Sequence, residues 1–326
     1  MQVSEIHKFL FEGMPVRGVL VRLTEAWTEV LRRHAAGSAQ AYPLPVQNLL
    51  GEMLAAATLM QSNIKFNGTL LLQIMGDGPL KLAVAEVQAD FGMRATASVM
   101  GTIDADASLG SMVNQRQSGK CAITLDPKEK FPGQKAYQGV VPLSVGAQDI
   151  EQLSAVLEDY MRQSEQLETT LVLAADAKMA AGLLIQRLPL EGSGNLGAAL
   201  SADQAGDTDE DYRRISVLAS SLKPEELLTL DVDSLLRRLF WQEGLLRFEP
   251  TALDPVPHFS CTCSRARVEK MILGLGSTEA QSILAERGEI EVLCDFCGAQ
   301  ERFDAVDVTQ IFQEGPKPPS AAVGPH

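Results

Sequence analysis

Apolar residues along this chain recur first with the mixed periods of strands and helices, and later with helical periods only. "GVLVRLT" (Gly18–Thr24) predicts a strand, and "EAWTEVLRRHAA" behind it predicts a helix. "PVQNLLGEMLAAATLMQS" predicts a second helix. Its apolar run Leu49–Met60, interrupted by Glu52, is too short to span a bilayer and reads as a buried helix. "TLLLQIMGDGPLKLAVAEV" sets two β-rich runs around the turn "GDGP", a hairpin pattern. "MRATASVM", "CAITLD" and "YQGVVPLSV" supply further strands. "DIEQLSAVLEDYMRQSEQ" places Ile150, Leu153, Leu157, Tyr160 and Met161 on one helical face. "TTLVLAAD" and "GLLIQRLP" add two more strands. The expected fold class is α+β: a mixed α/β domain over residues 1–190 with a sizeable β-sheet, and no internal repeat.

After Pro189 the pattern changes. "EGSGNLGAALSADQAGDTDED" holds six acidic side chains and no Lys or Arg, which predicts an exposed, weakly ordered linker. "YRRISVLASSL", "KPEELLTL" and "DVDSLLRRLFWQE" follow as short amphipathic helices, with Pro224 at a helix start. Short helices depend on packing for their stability. Residues 191–244 are therefore expected to form a metastable, conditionally ordered connector. A small domain over 245–312 and a Pro-rich disordered tail over 313–326 complete the expected organisation.

Charge narrows the partners. The 326 residues carry a net charge of −14, which opposes general nucleic-acid binding, because that affinity rests on Lys and Arg neutralising phosphates. The N-terminal "MQVSEIHKFLFEGMPVRG" has no basic region leading into a long apolar stretch. A cytoplasmic location with no membrane partner is expected. There, clustered cysteines point to metal or redox chemistry rather than structural disulfides.

Few motifs carry chemistry. "GSGNLG" (Gly192, Gly194, Gly197) fits G-x-G-x-x-G, but the acidic sequence behind it lacks the apolar strand of a dinucleotide fold. No phosphate-binding G-x-x-x-x-G-K-[ST] is present. His7, His34, His258 and His326 fall in no catalytic motif, and Cys121 reads as a small buried apolar residue. The other four of five cysteines form two tight pairs: Cys261 and Cys263 in "CTC", and Cys294 and Cys297 in "CDFC". An extended C-x-C sends both side chains to one side, and Gly298 permits a tight turn at the C-x-x-C. "SRARVEKMILG" and "STEAQSILAERG" read as two helices that return the chain, with a capping box at Thr278 and Gln281 and stops at Gly276 and Gly288. The four thiols are expected to bind one metal ion, with Zn2+ the leading candidate and His258 outside the set. A closed four-sulfur shell leaves no position for substrate, so no enzyme activity is expected. Thiolates are also the oxidisable form of cysteine.

These residues carry a resemblance. The chain resembles the heat-shock protein 33 family (33 kDa chaperonin) of redox-regulated holdase chaperones. The similarity rests on C-x-C and C-x-x-C within "CTCSRARVEKMILGLG" and "EIEVLCDFCG", on "GLLIQRLP" and "LLRRLFWQEGLLRFEP", and on the order of N-terminal elements. Two departures, Ala266 in place of an acidic residue and "GAQERF" without an aromatic soon after the last cysteine, touch no ligand position. The resemblance implies that the reduced protein holds one zinc and is inactive. It implies that oxidation joins Cys261 to Cys263 and Cys294 to Cys297, releases the metal and unfolds the zinc domain and linker. It further implies ATP-independent capture of unfolding client proteins, as a homodimer when oxidised. Two other readings stand beside it. Arg265, Arg267 and Lys270 near the first pair would suit a zinc module that binds nucleic acid. C-x-x-C would suit a thiol–disulfide oxidoreductase, although "CDFCGAQERF" shows neither a partner strand nor a following helix.

Overall fold

An antiparallel hairpin of β1 (Glu5–Phe11) and β2 (Val16–Leu23) opens the chain. The structure is a computed structural model describing residues 3–37, 41–131, 133–145, 148–189, 202–251 and 254–314. The glycine-rich Gly192–Gly197 stretch and the tail beyond Glu314 lie outside those residues. Helices α1 (Glu25–Gly37) and α2 (Leu44–Asn63) follow. Then come β3 (Gly68–Met75), β4 (Leu80–Gln88), β5 (Gly92–Val99), the short α3 (Leu109–Val113), β6 (Lys120–Pro127) and β7 (Tyr137–Pro142). A small ladder of β8 (Ser144–Val145) and β9 (Gln148–Asp149) leads to α4 (Leu153–Tyr160), which ends in a wider turn over Met161–Glu165. The hairpin of β10 (Thr169–Ala175) and β11 (Ala180–Arg187) precedes three helices, α5 (Ala202–Ser220), α6 (Pro224–Thr229) and α7 (Val232–Phe240). The chain then adds β12 (Leu245–Phe248) and β13 (His258–Phe259), and after them α8 (Arg265–Leu275), α9 (Ser277–Arg287), β14 (Ile290–Leu293), β15 (Gln300–Phe303) and α10 (Ala305–Glu314).

The strands form two large sheets where the sequence suggested one. The first has the order β10-β11-β2-β1-β12 and the second β13-β5-β4-β3-β6-β7. Helix α2 packs against strands of both. It is apolar over most of its surface, with Leu50, Met53, Leu54 and Leu59 fully buried, as suits a helix between two sheets. One core cluster accordingly joins α2 to Val19, Val21 and Leu184 of the first sheet and to Leu70, Leu72 and Val87 of the second.

The first sheet is also covered on its other face. Alternation in β2 and β11 sends Val19, Val21 and Leu184 toward α2, and Leu20, Leu183 and Ile185 the opposite way. The second set joins Phe9 and Phe11 of β1 under Ile215, Leu222, Leu227, Leu235, Leu236, Leu239 and Phe240 of the α5–α7 segment. Asp231 caps α7 by accepting from Ser234 N at 2.9 Å, and buried Arg22 donates to Leu230 O at 2.5 Å between α6 and α7. A hydroxyl cluster forms a further polar contact: Thr170 Oγ1 lies 2.6 Å from Ser216 Oγ and 3.0 Å from Tyr212 Oη.

The chain forms two compact units, Met1–Arg32 with Ala41–Ser260, and Arg33–Gln40 with Cys261–His326. The larger unit thus continues past residue 244, where the sequence places the end of the connector. The physical reason is strand pairing: β12 is hydrogen-bonded antiparallel to β1, and β13 parallel to β5.

Candidate metal centre

Cys261 to Ser264 run without regular structure into α8, and the Ser264 side chain caps that helix by accepting from Arg267 N. Gly276 ends α8, and α9 starts directly at Ser277, so the capping box expected at Thr278 and Gln281 is not the device used. Gly288 closes α9 in the left-handed conformation, its N–H donating to Leu284 O. The chain then enters the β14–β15 hairpin, registered as Ile290 opposite Phe303 and Leu293 opposite Gln300. Cys294 and Cys297 stand in its tight turn. There Cys294 N donates to Ala299 O and Gly298 N to Cys294 O, both at 2.8 Å, with Gly298 at φ +69°.

These elements bring all four sulfurs within 4.8 Å of one another. Cys261 Sγ is 3.7 Å from Cys294 Sγ, and Cys263 Sγ is 3.2 Å from Cys297 Sγ. Four thiolates about 2.3 Å from a common ion would have tetrahedral edges of about 3.8 Å, so the set is close to the spacing a shared cation requires. Among the described residues it is the only group of its kind. Burial, then hydrogen bonds and charge from the other thiols, push the Cys263 thiol well above its ordinary range; burial likewise raises Cys297. A cation placed among the sulfurs would offset what disfavours the Cys263 and Cys297 thiolates.

A small core supports the cluster: Ile272, Ala280, Ile290, Phe303, Val308 and Ile311. Arg265 binds it together. Its guanidinium lies 4.1 Å over the Phe303 ring, donates to Arg302 O at 2.9 Å and lies 3.0 Å from Asp307.

The chain is similar to known proteins over most of its length. Residues 4–304 match the family described as Hsp33 protein. The 33 kDa chaperonin of Chromobacterium violaceum is 41% identical over 95% of this chain and 94% of its own length. The chain belongs to the Hsp33 family. The 33 kDa chaperonin of Shewanella woodyi is 39% identical over 98% of this chain and 99% of its own. The crystal structure of the Thermotoga maritima 33 kDa chaperonin shares the fold, with a TM-score of 0.72 at 20% identity over 95% of this chain and 98% of that one.

The other candidate residues fall outside the centre. Cys121 is fully buried in β6, and desolvation pushes its thiol up to about 12, so it is a core residue. His258 Nδ1 lies 2.9 Å from Val256 O, and His258 is not among the clustered ligands. Arg267 donates to Thr262 Oγ1 at 2.6 Å, and Arg265 is taken up by the contacts above. The C-x-x-C does have a partner strand, β15, and a following helix, α10, which the sequence reading missed. It sits in a hairpin turn and not at a helix N-terminus, which is one of the settings that activate a thiol. The sequence reading also named no residues for the covered sheet face. The signal was present in the nearly unbroken apolar runs of β2 and β11, which mark strands buried on both sides. Among the described residues no helix is long and apolar enough to cross a membrane.

Proposed function

We propose that this protein is a redox-regulated, ATP-independent holdase chaperone of the cytoplasm, in which the four-cysteine centre controls whether the α5–α7 cover stays on its sheet. The observation that carries the reading is the apolar face of Phe9, Phe11, Leu20, Leu183 and Ile185, closed over by the α5–α7 segment, in which α6 and α7 are short. Helices of six and nine residues have little stability apart from that packing. Similarity to proteins named 33 kDa chaperonin supports the chaperone assignment.

Cys261, Cys263, Cys294 and Cys297 hold one Zn2+ in the reduced state. Bound zinc would keep the thiolates ionised and join the two halves of a small domain, contributing on the order of 10–16 kcal/mol of apparent binding free energy. An oxidant of the peroxide class accepts two electrons for each pair closed, giving Cys261–Cys263 and Cys294–Cys297. Both disulfides are local, so neither restores the link between the C-x-C and the C-x-x-C. The part of 245–312 from Cys261 onward then unfolds, the connector over 191–244 loosens, and the core over 1–190 presents its apolar face to unfolding clients as a homodimer. The task is binding and not catalysis, with neither nucleic acid nor membrane as partner.

The test follows zinc release and suppression of light scattering by a heat-unfolded client during peroxide treatment with mild heating. Protection should rise as zinc is lost. Equal protection by the reduced, zinc-loaded protein would overturn the switch.

A further inference from the structure

A cavity of about 650 Å³ opens in the larger unit among α2, α3, α4, β10 and the α5–α6 junction. Four carboxylates line it, from Glu52, Asp106, Glu151 and Glu158, and no Lys, Arg or His does. Glu52 on α2 is the informative one. Protein surrounds it closely enough that desolvation raises its pKa to about 7, yet it keeps accessible surface, as a group facing a cavity does. No hydrogen bond or ion pair to Glu52 is formed among the described residues. One helical turn earlier, Asn48 Oδ1 is buried without any partner. An enclosed carboxylate and an enclosed amide oxygen, both lacking donors, carry a desolvation cost that a donor-bearing ligand would relieve.

The same groups define the ligand's chemistry. Both unmet needs are for hydrogen-bond donors, and the surrounding charge is uniformly negative, so the ligand is a cation. It is not a metal ion: the only described cluster tight enough for one is the cysteine set, so these carboxylates do not converge on a point. Separated carboxylates alternate with apolar wall from Leu49, Leu109, Met112 and Leu173. That pattern suits ammonium groups spaced along methylene chains. We propose that this cavity binds a linear alkyl polyamine, with Glu52 and Asn48 taking one ammonium group inside and the remaining carboxylates meeting the others. Ser220, Leu222 and Pro224 of the α5–α6 junction also line the cavity. A bound polyamine therefore bridges the core to the helices that cover the sheet. The inference concerns binding alone and stands whether or not the chaperone reading holds.

Titration calorimetry of the full-length, zinc-loaded protein with spermidine at pH 8 tests it. Saturable binding of one equivalent is expected, weakened about tenfold or more by Glu52→Gln, the loss expected when a charge-assisted hydrogen bond goes. Asp106→Asn, at an exposed position, should weaken binding less. A thermal melt of each variant shows that it is folded. Magnesium chloride at matched ionic strength controls for attraction to a chain of net charge −14. Unchanged affinity in Glu52→Gln, or an equal Glu52-dependent signal from magnesium, overturns the proposal. So does Glu52-dependent binding of a lysine-rich unstructured peptide without binding of spermidine, which would assign the cavity to polypeptide.

Discussion

The Phe240 ring of α7 meets the Phe11 ring of β1 edge-on, with centroids 5.0 Å apart and planes at 88°. Phe9 stands 6.2 Å from the same Phe240 ring and 5.7 Å from Phe11, so one aromatic side chain of the helical cover packs against a touching pair of the sheet. Truncating a buried Phe to Ala typically costs about 3–5 kcal/mol. Phe240 is the largest of the side chains that anchor α7, beside Val232, Leu235, Leu236 and Leu239. Phe240→Ala should therefore expose the sheet face while the cysteine centre stays intact. The expected result is stronger binding of an apolar dye and faster proteolysis between residues 202 and 244 in the reduced protein, at unchanged zinc content. Dye binding equal to wild type would show that the cover does not depend on this contact.

Pairing of the cysteines is a separate question, because a tetrahedral set makes all its pairs near neighbours. Two close separations run crosswise, Cys263 to Cys297 at 3.2 Å and Cys261 to Cys294 at 3.7 Å. A crosswise disulfide would keep the two halves of the centre joined, as a bound metal would. Local disulfides would not. Peptide mapping of the peroxide-treated protein should find Cys261–Cys263 and Cys294–Cys297, together with loss of the helical signal of α8–α10. Crosswise linkage with retained helix would mean that oxidation locks this unit instead of opening it.

How much of this was readable in advance follows from where each signal resides. Four cysteines in two pairs announce a cluster that could hold a metal, since ligand type and spacing are themselves the chemistry. The hairpin of β3 and β4 and the buried α2 were equally plain, from "GDGP" and from an apolar helix lacking a polar face. Strand β1 was not, because "EIHKFLF" starts with three polar residues among four and gains its partners only from β2 and β12. Nor was the division into two sheets, which depends on pairings between distant segments. Strand β15 was missed for a similar reason: "QERF" places one buried side chain, Phe303, on a four-residue strand. Long-range partners and not local propensity decide such short elements.

Arg265 offers a test of the small unit that leaves every cysteine in place. Its contacts with Phe303, Arg302 O, Glu301 and Asp307 gather α8, β15 and α10 around one guanidinium. The side chain is partly exposed, so the ion pairs themselves contribute little, and stacking on Phe303 adds about 0.5–1 kcal/mol. Together with the lost packing, Arg265→Ala should destabilise this unit by about 1–2 kcal/mol. Arg265→Lys should recover only part, because an ammonium cannot stack and fork as a guanidinium does. Both should lower the chelator concentration at which helical signal is lost. A Lys variant indistinguishable from wild type would reduce the role of Arg265 to its charge.

Glu52 should make the larger unit less stable as pH rises. Its carboxyl has an ordinary value of 4.5 when the chain is unfolded and about 7 when folded, because burial disfavours the anion. Below about pH 4.5 both states are protonated and the group contributes nothing. Between about 4.5 and 7 the unfolded state releases its proton while the native state retains it, so stability declines with rising pH. Above about 7 the full cost is present, at most about 3 kcal/mol for this shift. Glu52→Gln removes the ionisation while keeping the side chain's size. In urea unfolding followed through the buried Trp27, the variant should match wild type at pH 4.5 and exceed it at pH 8. A stability difference that is the same at both pH values would show that Glu52 does not ionise in the way its enclosure requires.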